Sequence, residues 1–190
     1  MPWEKSFDEE IALEKAMKGF EPASIADLLE ETGLNRGSLY NAFGGKQQLF
    51  VKSLLKYDRD IRQSRLAQLE ALDNPKEAIA AFFDTIVAET VADRDHKGCF
   101  LINTASEIAA HDEEVNEIVT NGVREIEAFF RRCIEVGQAR GDMPEGIDPE
   151  DTAKTLLALI VAIRVLGRGV FAEAALLTIA NAGKRLICLN

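Results

Sequence analysis

The sequence predicts an all-α protein. Apolar residues recur at helical spacing along most of the 190 residues, and no segment of strand-like alternation stands out. Two dipeptides, Asn74-Pro75 and Asp148-Pro149, are typical of helix starts, because the polar side chain caps N–H groups while proline takes the first helical position. An apolar content of 47% is enough for a sizeable buried core. We therefore expect helices throughout the chain.

Pattern and turn signals predict the helices in chain order. They lie near residues 5–18, 24–32, 35–43, 46–71, 75–92, 98–110, 113–140, 149–167 and 172–188. The segment from Lys46 to about Ala71 is long and continuous, so we expect it to belong partly to an N-terminal head and partly to the body. The stretch from Gly141 to Gly146 is the clearest loop.

The second and third predicted helices form a pair hinged at Gly33. Ser24 can cap the first helix of the pair and Asn35 the second. Leu39 and Phe43, four residues apart, fall on one face of the second helix and can pack against the first. Its outward residues are small, polar or basic, namely Arg36, Gly37, Ser38, Tyr40 and Asn41. Such groups can contact phosphates and base edges in a major groove, which favours a helix-turn-helix DNA reader over a buried helical hairpin.

The charge distribution agrees with a local DNA-binding surface. The net charge is −10, yet residues 33–66 carry seven Lys or Arg and two Asp, a net charge of +5, which leaves −15 elsewhere. A basic segment on an acidic body confines favourable phosphate contact to one face. Beyond Lys56, a solvated helix face explains the basic residues better.

The run Thr32-Gly-Leu-Asn-Arg-Gly-Ser-Leu-Tyr-Asn-Ala-Phe-Gly-Gly-Lys46, followed by Leu49-Phe50, resembles the DNA-binding segment of TetR-family transcriptional regulators. The resemblance implies a three-helix helix-turn-helix head over residues 1–48 and a helical ligand-binding and dimerisation body over 49–190. It also implies a homodimeric repressor that binds palindromic double-stranded operator DNA and answers to a small-molecule effector. One departure from the family pattern is a short connection at residues 16–24, where either the head has a thinner core or a stretch is missing.

Individual roles in the head follow from these residues. We expect Ser38, Tyr40 and Asn41 in and beside the groove, with Gly37 on the same face and Arg36 on a base or a phosphate. The DNA backbone contacts are expected from Ser24 and Lys46.

The last two predicted helices are apolar over more than one face, so they are the candidate dimer seam. Small residues that would permit close helix approach are Ala158, Ala162, Ala180 and Gly183. The alternative is that these helices form the central core of a monomer.

A mixed polar and apolar segment, Lys97 to Glu107, is the candidate effector or redox-sensing region. Cys99 lies at a helix start beside His96 and Lys97, where the helix dipole and nearby cations favour a thiolate. Its Gly-Cys-Phe-x-x-Asn pattern resembles a subgroup that includes electrophile-responsive repressors, which implies a sensor role; the alternative is a small packed residue. The other expected effector residues are Phe100, Asn103, Glu107 and Phe129.

The remaining residues mainly exclude functions. Cys133 and Cys188 lie in apolar stripes and are expected in the core, and three unpaired cysteines suggest no disulfide. We expect no cofactor, no metal site, no membrane segment and a cytoplasmic protein. A small enzyme that uses Cys99 as nucleophile lacks a convincing base, and an interaction module without DNA binding is the other alternative. Phenylalanines such as Phe82 either pack or line a cavity, and Arg164 and Arg168 either pair with acidic groups or reach the surface.

Overall fold

The computed structural model describes residues 13, 35–107 and 112–188. In these residues the fold is all-α, as predicted, and contains no strand. The helices are α1 (Arg36–Phe43), α2 (Lys46–Tyr57), α3 (Ser64–Glu70), α4 (Pro75–Ala92), α5 (Phe100–Glu107), α6 (Glu113–Arg140), α7 (Pro149–Leu166) and α8 (Glu173–Leu186). The predicted helices near 5–18 and 24–32 lie outside the described residues, apart from Leu13, which is helical.

The two predicted proline-marked helix starts are confirmed. The Asn74 side-chain oxygen accepts a hydrogen bond from the backbone N–H of Lys76 at 2.9 Å, and α4 begins at Pro75. The Asp148 carboxylate accepts from the N–H of Asp151 at 2.8 Å, and α7 begins one residue after that cap. These bonds satisfy N–H groups that have no partner inside the helix, so local sequence alone fixes both starts.

The prediction of one long, continuous helical segment over 46–71 is confirmed to within one residue, with a change of helix type in its middle. A π-helical segment, Asp58–Gln63, separates α2 from α3, although the chain stays helical throughout. A π turn inserts extra residues per turn and therefore shifts the faces of the helices on its two sides. The helix predicted over 98–110 begins at Phe100, so Cys99 precedes it.

The chain divides into two compact units, residues 1–61 and 62–190, and the division falls inside the π-helical segment. In the first unit the buried apolar side chains include Phe43, Leu49 and Leu54. In the second unit α4 packs against α6, α7 and α8. The boundary expected between residues 48 and 49 stays a prediction. Among the described helices, none combines the length and the apolar character needed to cross a bilayer.

Four phenylalanines fill the centre of the second unit. Phe82 contacts Phe129 and Phe130 with ring centroids 5.7 Å and 5.0 Å apart, and Phe83 stacks on Phe130 at 6.2 Å. All four rings are at most 2% exposed. Such pairs add stabilisation beyond their buried area, so these residues are packing residues first.

Helix α8 approaches this aromatic cluster through small residues. A Cβ atom at Gly183 would lie 2.5 Å from Phe83 Cζ, and Ala180 is 1% exposed. Both residues are therefore buried against their own subunit, and the expectation that they belong to a dimer seam is wrong. By contrast Ala158 is exposed and Ala162 half-buried on α7, so only those two remain available to a partner.

Candidate nucleic-acid interface and cysteine site

Helix α1 is short, capped and exposed along one side. The Asn35 side-chain oxygen accepts a hydrogen bond from the Ser38 N–H at 2.8 Å, which confirms Asn35 as the N-cap. Of the predicted contact residues on this helix, Arg36, Gly37 and Asn41 are exposed. No acidic residue lies in the first turn, so the positive end of the helix dipole stays available to an anion.

A glycine turn ends α1 and starts α2. Gly44 has a φ of 82° and donates its N–H to the Tyr40 carbonyl at 2.9 Å, while Gly45 has a φ of 135°. A Cβ atom at Gly45 would lie 3.4 Å from the Tyr40 ring, so the ring rests against this glycine. The two left-handed φ values require glycine, and the turn places Lys46 at the first position of α2.

The structure therefore brings six of the seven predicted DNA-contact residues onto α1 and the start of α2. Tyr40 is 49% exposed, whereas Ser38 and Lys46 are half-buried. The seventh, Ser24, lies outside the described residues. Lys52, one of the seven basic residues counted over 33–66, has its ammonium 5.3 Å above the Phe43 ring and extends the basic surface along α2.

Two family models match the chain over most of its length. The model for bacterial regulatory proteins of the tetR family covers residues 16–52, and the model for the tetracyclin repressor-like C-terminal domain covers residues 75–176. This chain belongs to the TetR family of transcriptional regulators. Its helix-turn-helix head is accordingly a DNA-binding unit.

Individual relatives agree with the TetR assignment. The chain is 30% identical to the uncharacterized HTH-type transcriptional regulator YezE of Bacillus subtilis (strain 168), over 81% of this chain and 80% of that protein. It is 29% identical to the HTH-type transcriptional repressor ComR of Escherichia coli (strain K12), over 86% and 81%. Among solved structures, a cysteine mutant of the TetR-family regulator CifR in complex with 26-base-pair operator DNA superimposes with a TM-score of 0.85 at 26% identity, over 96% of this chain and 98% of that chain.

In the body of this TetR-family chain, the loop before α5 is held in place around Cys99. The Asp93 carboxylate accepts the Gly98 N–H at 2.7 Å, and the Arg168 guanidinium donates to the His96 carbonyl at 3.1 Å and to the Asn103 side-chain oxygen at 3.4 Å. The Asn103 amide in turn donates to the Lys97 carbonyl at 2.7 Å. Asn103 and Arg168, two predicted polar residues, thus fix this loop by protein contacts.

Cys99 itself is half-buried, and its carbonyl accepts the Asn103 N–H at 2.9 Å. Lys97, the expected cationic neighbour, lies 3.5 Å from the Asp95 carboxylate on the surface, so part of its charge is compensated. Gly98 has a φ of 72°, and a Cβ there would lie 2.8 Å from Arg168 Cδ. Only glycine fits this turn without strain, which explains why a glycine directly precedes Cys99.

The other predicted effector residues lie in different surroundings. Glu107 is exposed and lies about 12 Å farther along the helix axis, at 1.5 Å per residue. Phe100 is buried on α5. Phe129 belongs to the aromatic cluster on α6 and also lines a surface groove beside Cys133.

The remaining thiols and arginines settle several alternatives. Cys133 is buried, as expected, and burial raises the pKa of its thiol to about 11. Cys188 is exposed, so its predicted core position is wrong; it lies beyond the last residue of α8, Leu186. Arg164 is buried and pairs with Glu89 and Thr90, so it is a paired core residue. Within the described residues, no cluster of His, Cys, Asp or Glu could hold a metal ion.

Proposed function

We propose that this chain is a homodimeric repressor that reads a palindromic operator with α1 and releases it when an effector acts on the body. The observation that carries the proposal is the exposure of Arg36, Gly37, Tyr40 and Asn41 together on a capped helix without acidic residues. Support also comes from the name of ComR as a repressor and from the operator DNA bound to CifR. Such a protein works beside the chromosome, in the cytoplasm, and needs no catalytic group.

The residue roles are tested by footprinting and by competition with scrambled DNA. Asn41→Ala and Arg36→Ala should weaken binding to the selected site more than binding to scrambled DNA, since they remove base contacts. Lys46→Ala should weaken both equally and lower the slope of log affinity against log salt by about 1. Lys154→Ala, an exposed lysine of the body, is the matched control and should change neither. Equal losses on both DNAs for all three head variants would refute the base-reading roles.

The dimer seam is proposed on the outer faces of α7 and α8. Four large apolar side chains lie exposed there and at the turn between the helices: Val165 is 45% exposed, Val170 67%, Phe171 41% and Leu177 39%. Exposed apolar groups of this density mark an interaction surface. Two heads held at fixed spacing by such a seam would match the two half-sites of an operator.

The seam is tested by light scattering on folded protein. Val165→Asp and Leu177→Asp should shift the chain toward monomer, because burying an unpaired carboxylate costs about 3 to 5 kcal/mol. Val136→Asp places the same change on α6, where the side chain is 41% exposed, and should leave the dimer intact. Dimers that persist in both seam variants would locate the seam elsewhere.

Cys99 is proposed as an electrophile sensor. Its half-buried position on a loop fixed by Asp93 and Arg168 means that added bulk would strain the contacts between α5 and the end of α7. An electrophile should therefore release operator DNA from the wild type and not from Cys99→Ser. Cys188→Ser removes the exposed thiol and should still respond. Release from Cys99→Ser on treatment would mean that a reversibly bound ligand carries the signal.

A further inference from the structure

The segment that follows the first unit, residues 62–73, has few apolar contacts with the rest of the body. It comprises the end of the π-helical segment, α3 and the turn before α4. Within this described range the buried apolar side chains are Leu66 and Leu69. By contrast, α4 buries Ala78, Ile79, Phe82, Phe83, Ile86 and Val87. We call residues 62–73 the strap.

Two arginines of the strap reach carboxylates on other helices. Arg62 Nη1 lies 2.7 Å from a Glu125 carboxylate oxygen on α6, and Arg65 Nη2 lies 2.5 Å from a Glu89 carboxylate oxygen on α4. The other Glu89 oxygen pairs with Arg164 of α7. The strap arginine side chains are 5% and 14% exposed, whereas the two glutamates are 56% and 40% exposed. Each pair therefore has one partner in water, where salt can screen it.

Two acidic residues of the strap pair in the opposite sense, with arginines of α6. The Glu70 carboxylate pairs with the Arg132 guanidinium. Arg140 donates to the Asp73 carbonyl at 2.5 Å and lies 3.5 Å from the Asp73 carboxylate. Both pairs lie at the surface, where ions in solution weaken the attraction between charges most. Ion pairs thus occur from the first residue of the strap to the last.

The helical pattern changes at both ends of the strap. At its start the π-helical segment Asp58–Gln63 joins it to α2, and π turns inside α-helices are rare and frequent at functional sites. At its end the Asn74 side chain accepts hydrogen bonds from the N–H groups of Lys76 and Glu77 at 2.9 Å and 3.3 Å. Because α4 starts on this cap, its first turn does not depend on the strap.

Ion pairs at an interface favour opening as one unit. A buried arginine that loses its carboxylate while the strap stays closed is strongly destabilising, because its charge is then unpaired. If the whole strap leaves the body, its charged groups return to water, and hydration offsets the lost pairs. The remaining loss is the burial of Leu66 and Leu69, which is small beside the apolar core around α4. Such a segment can open below the free energy of global unfolding.

We propose that the strap is an ion-latched segment, which opens from the body as one unit while α4, α6, α7 and α8 stay folded, and which opens more readily as salt rises. The strap begins directly after residue 61, where the unit that carries α1 ends. An open strap would connect that unit to the body by flexible chain, which lowers the effective concentration of a second head at a palindromic operator. This consequence rests on the proposed homodimer, and the opening itself does not.

Hydrogen exchange with mass spectrometry tests the opening on the full chain without DNA. Between about 0.05 M and about 0.5 M sodium chloride, we expect exchange in residues 64–70 to become at least about tenfold faster, with less than about twofold change in the centre of α4. Equal exchange of the strap at both salt concentrations would overturn the proposal. So would strap exchange that always equals exchange in α4, because the strap would then open only by global unfolding.

Matched substitutions identify the latch. Glu125→Gln removes the partner of Arg62 and should speed strap exchange at low salt at least about fivefold, with α4 unchanged. Glu150→Gln removes the partner of Lys154 in an exposed pair within α7 and is the control, which should change nothing in the strap. Strap exchange that is unchanged in Glu125→Gln, or equally fast in both variants, would overturn the latch.

A charge exchange provides a second test at an exposed pair. Glu70→Arg places two arginines opposite each other and should speed strap exchange, whereas adding Arg132→Glu restores the pair with its charges reversed. We expect the double variant to return to within about twofold of the wild type. Failure of the second substitution to slow exchange would mean that charge pairing does not hold the strap.

DNA binding tests the consequence separately. The probes are a labelled palindrome selected from random DNA and one half of that palindrome, measured by fluorescence anisotropy. Glu125→Gln should reduce the preference for the palindrome over the half-site at least about fivefold and leave half-site affinity unchanged. An undiminished preference would overturn the consequence for DNA binding. A wild type without any preference would instead contradict the proposed homodimer, and the exchange measurements would still decide the strap.

Discussion

Alkylation of Cys133 should be slow in the folded protein, and the structure sets how slow. Burial raises the pKa of this thiol from 9.0 to about 11, so at pH 8 its thiolate fraction is about 100-fold below that of a thiol at the ordinary value. A more basic thiolate is a better nucleophile, with a Brønsted coefficient of about 0.4 to 0.5, which returns roughly tenfold. The net effect is a rate of alkylation roughly tenfold below that of an ordinary thiol. Limited access slows the reaction further, since Cys133 is 8% exposed.

Iodoacetamide with quantitative mass spectrometry measures this directly. A model cysteine peptide in the same tube supplies the reference rate, and Cys188 reports access to an exposed thiol of the same chain. We expect Cys133 to react at least about tenfold more slowly than the peptide at pH 8. In denaturing urea, where burial is lost, the two rates should converge.

The pH dependence provides the sharper discrimination. The Cys133 rate should rise about tenfold per pH unit through pH 9.5, whereas the peptide rate levels off near pH 9. A Cys133 rate that levels off at or below pH 9 in folded protein would refute the raised pKa of this thiol. The same shift in pKa affects stability. A thiol pKa that is raised on folding adds to the free energy of unfolding fully below pH 9, and this contribution is lost as the pH rises toward 11. Cys133→Ala should therefore flatten the alkaline decline in the free energy of unfolding.

Two further substitutions test the packing and the ion pairs of the body, each by urea denaturation. Gly183→Ala places a Cβ 2.5 Å from a Phe83 ring that is 0% exposed; overpacking of about 1 to 3 kcal/mol should exceed the roughly 1 kcal/mol of helix propensity that alanine adds. Gly146→Ala meets nothing within 4 Å and should be near neutral, so equal effects would contradict the clash. Glu89→Gln removes the carboxylate that faces the buried Arg164 and should destabilise by about 1 to 3 kcal/mol. Glu89→Gln should lower the free energy of unfolding by less when Arg164→Met is already present. If the effects of the two substitutions simply add, the ion pair between Glu89 and Arg164 contributes nothing.

The sequence alone was sufficient for those features that depend on a few neighbouring residues. Asn35 and Asn74 cap their helices by accepting hydrogen bonds from backbone N–H groups two or three residues further along, so the starts of α1 and α4 could be predicted without any knowledge of the fold. The outward face of α1 follows equally from helical period, and its family resemblance is confirmed by the family models. Local hydrogen bonding and a period of 3.6 residues are properties of the chain itself.

Only the tertiary structure decided which partner each apolar or titratable residue meets. Cys133 and Cys188 lie in similar apolar stripes, yet one is buried in the wall of a groove and the other is exposed past the end of α8. Gly183 and Ala162 are both small residues on apolar helices, yet Gly183 lies against the aromatic cluster of its own subunit whereas Ala162 is half-buried. Burial, pKa and cavity shape depend on elements far apart in sequence, because they arise from the removal of water by packed neighbours. A helical pattern specifies that a face is apolar, and the packed fold determines what covers it.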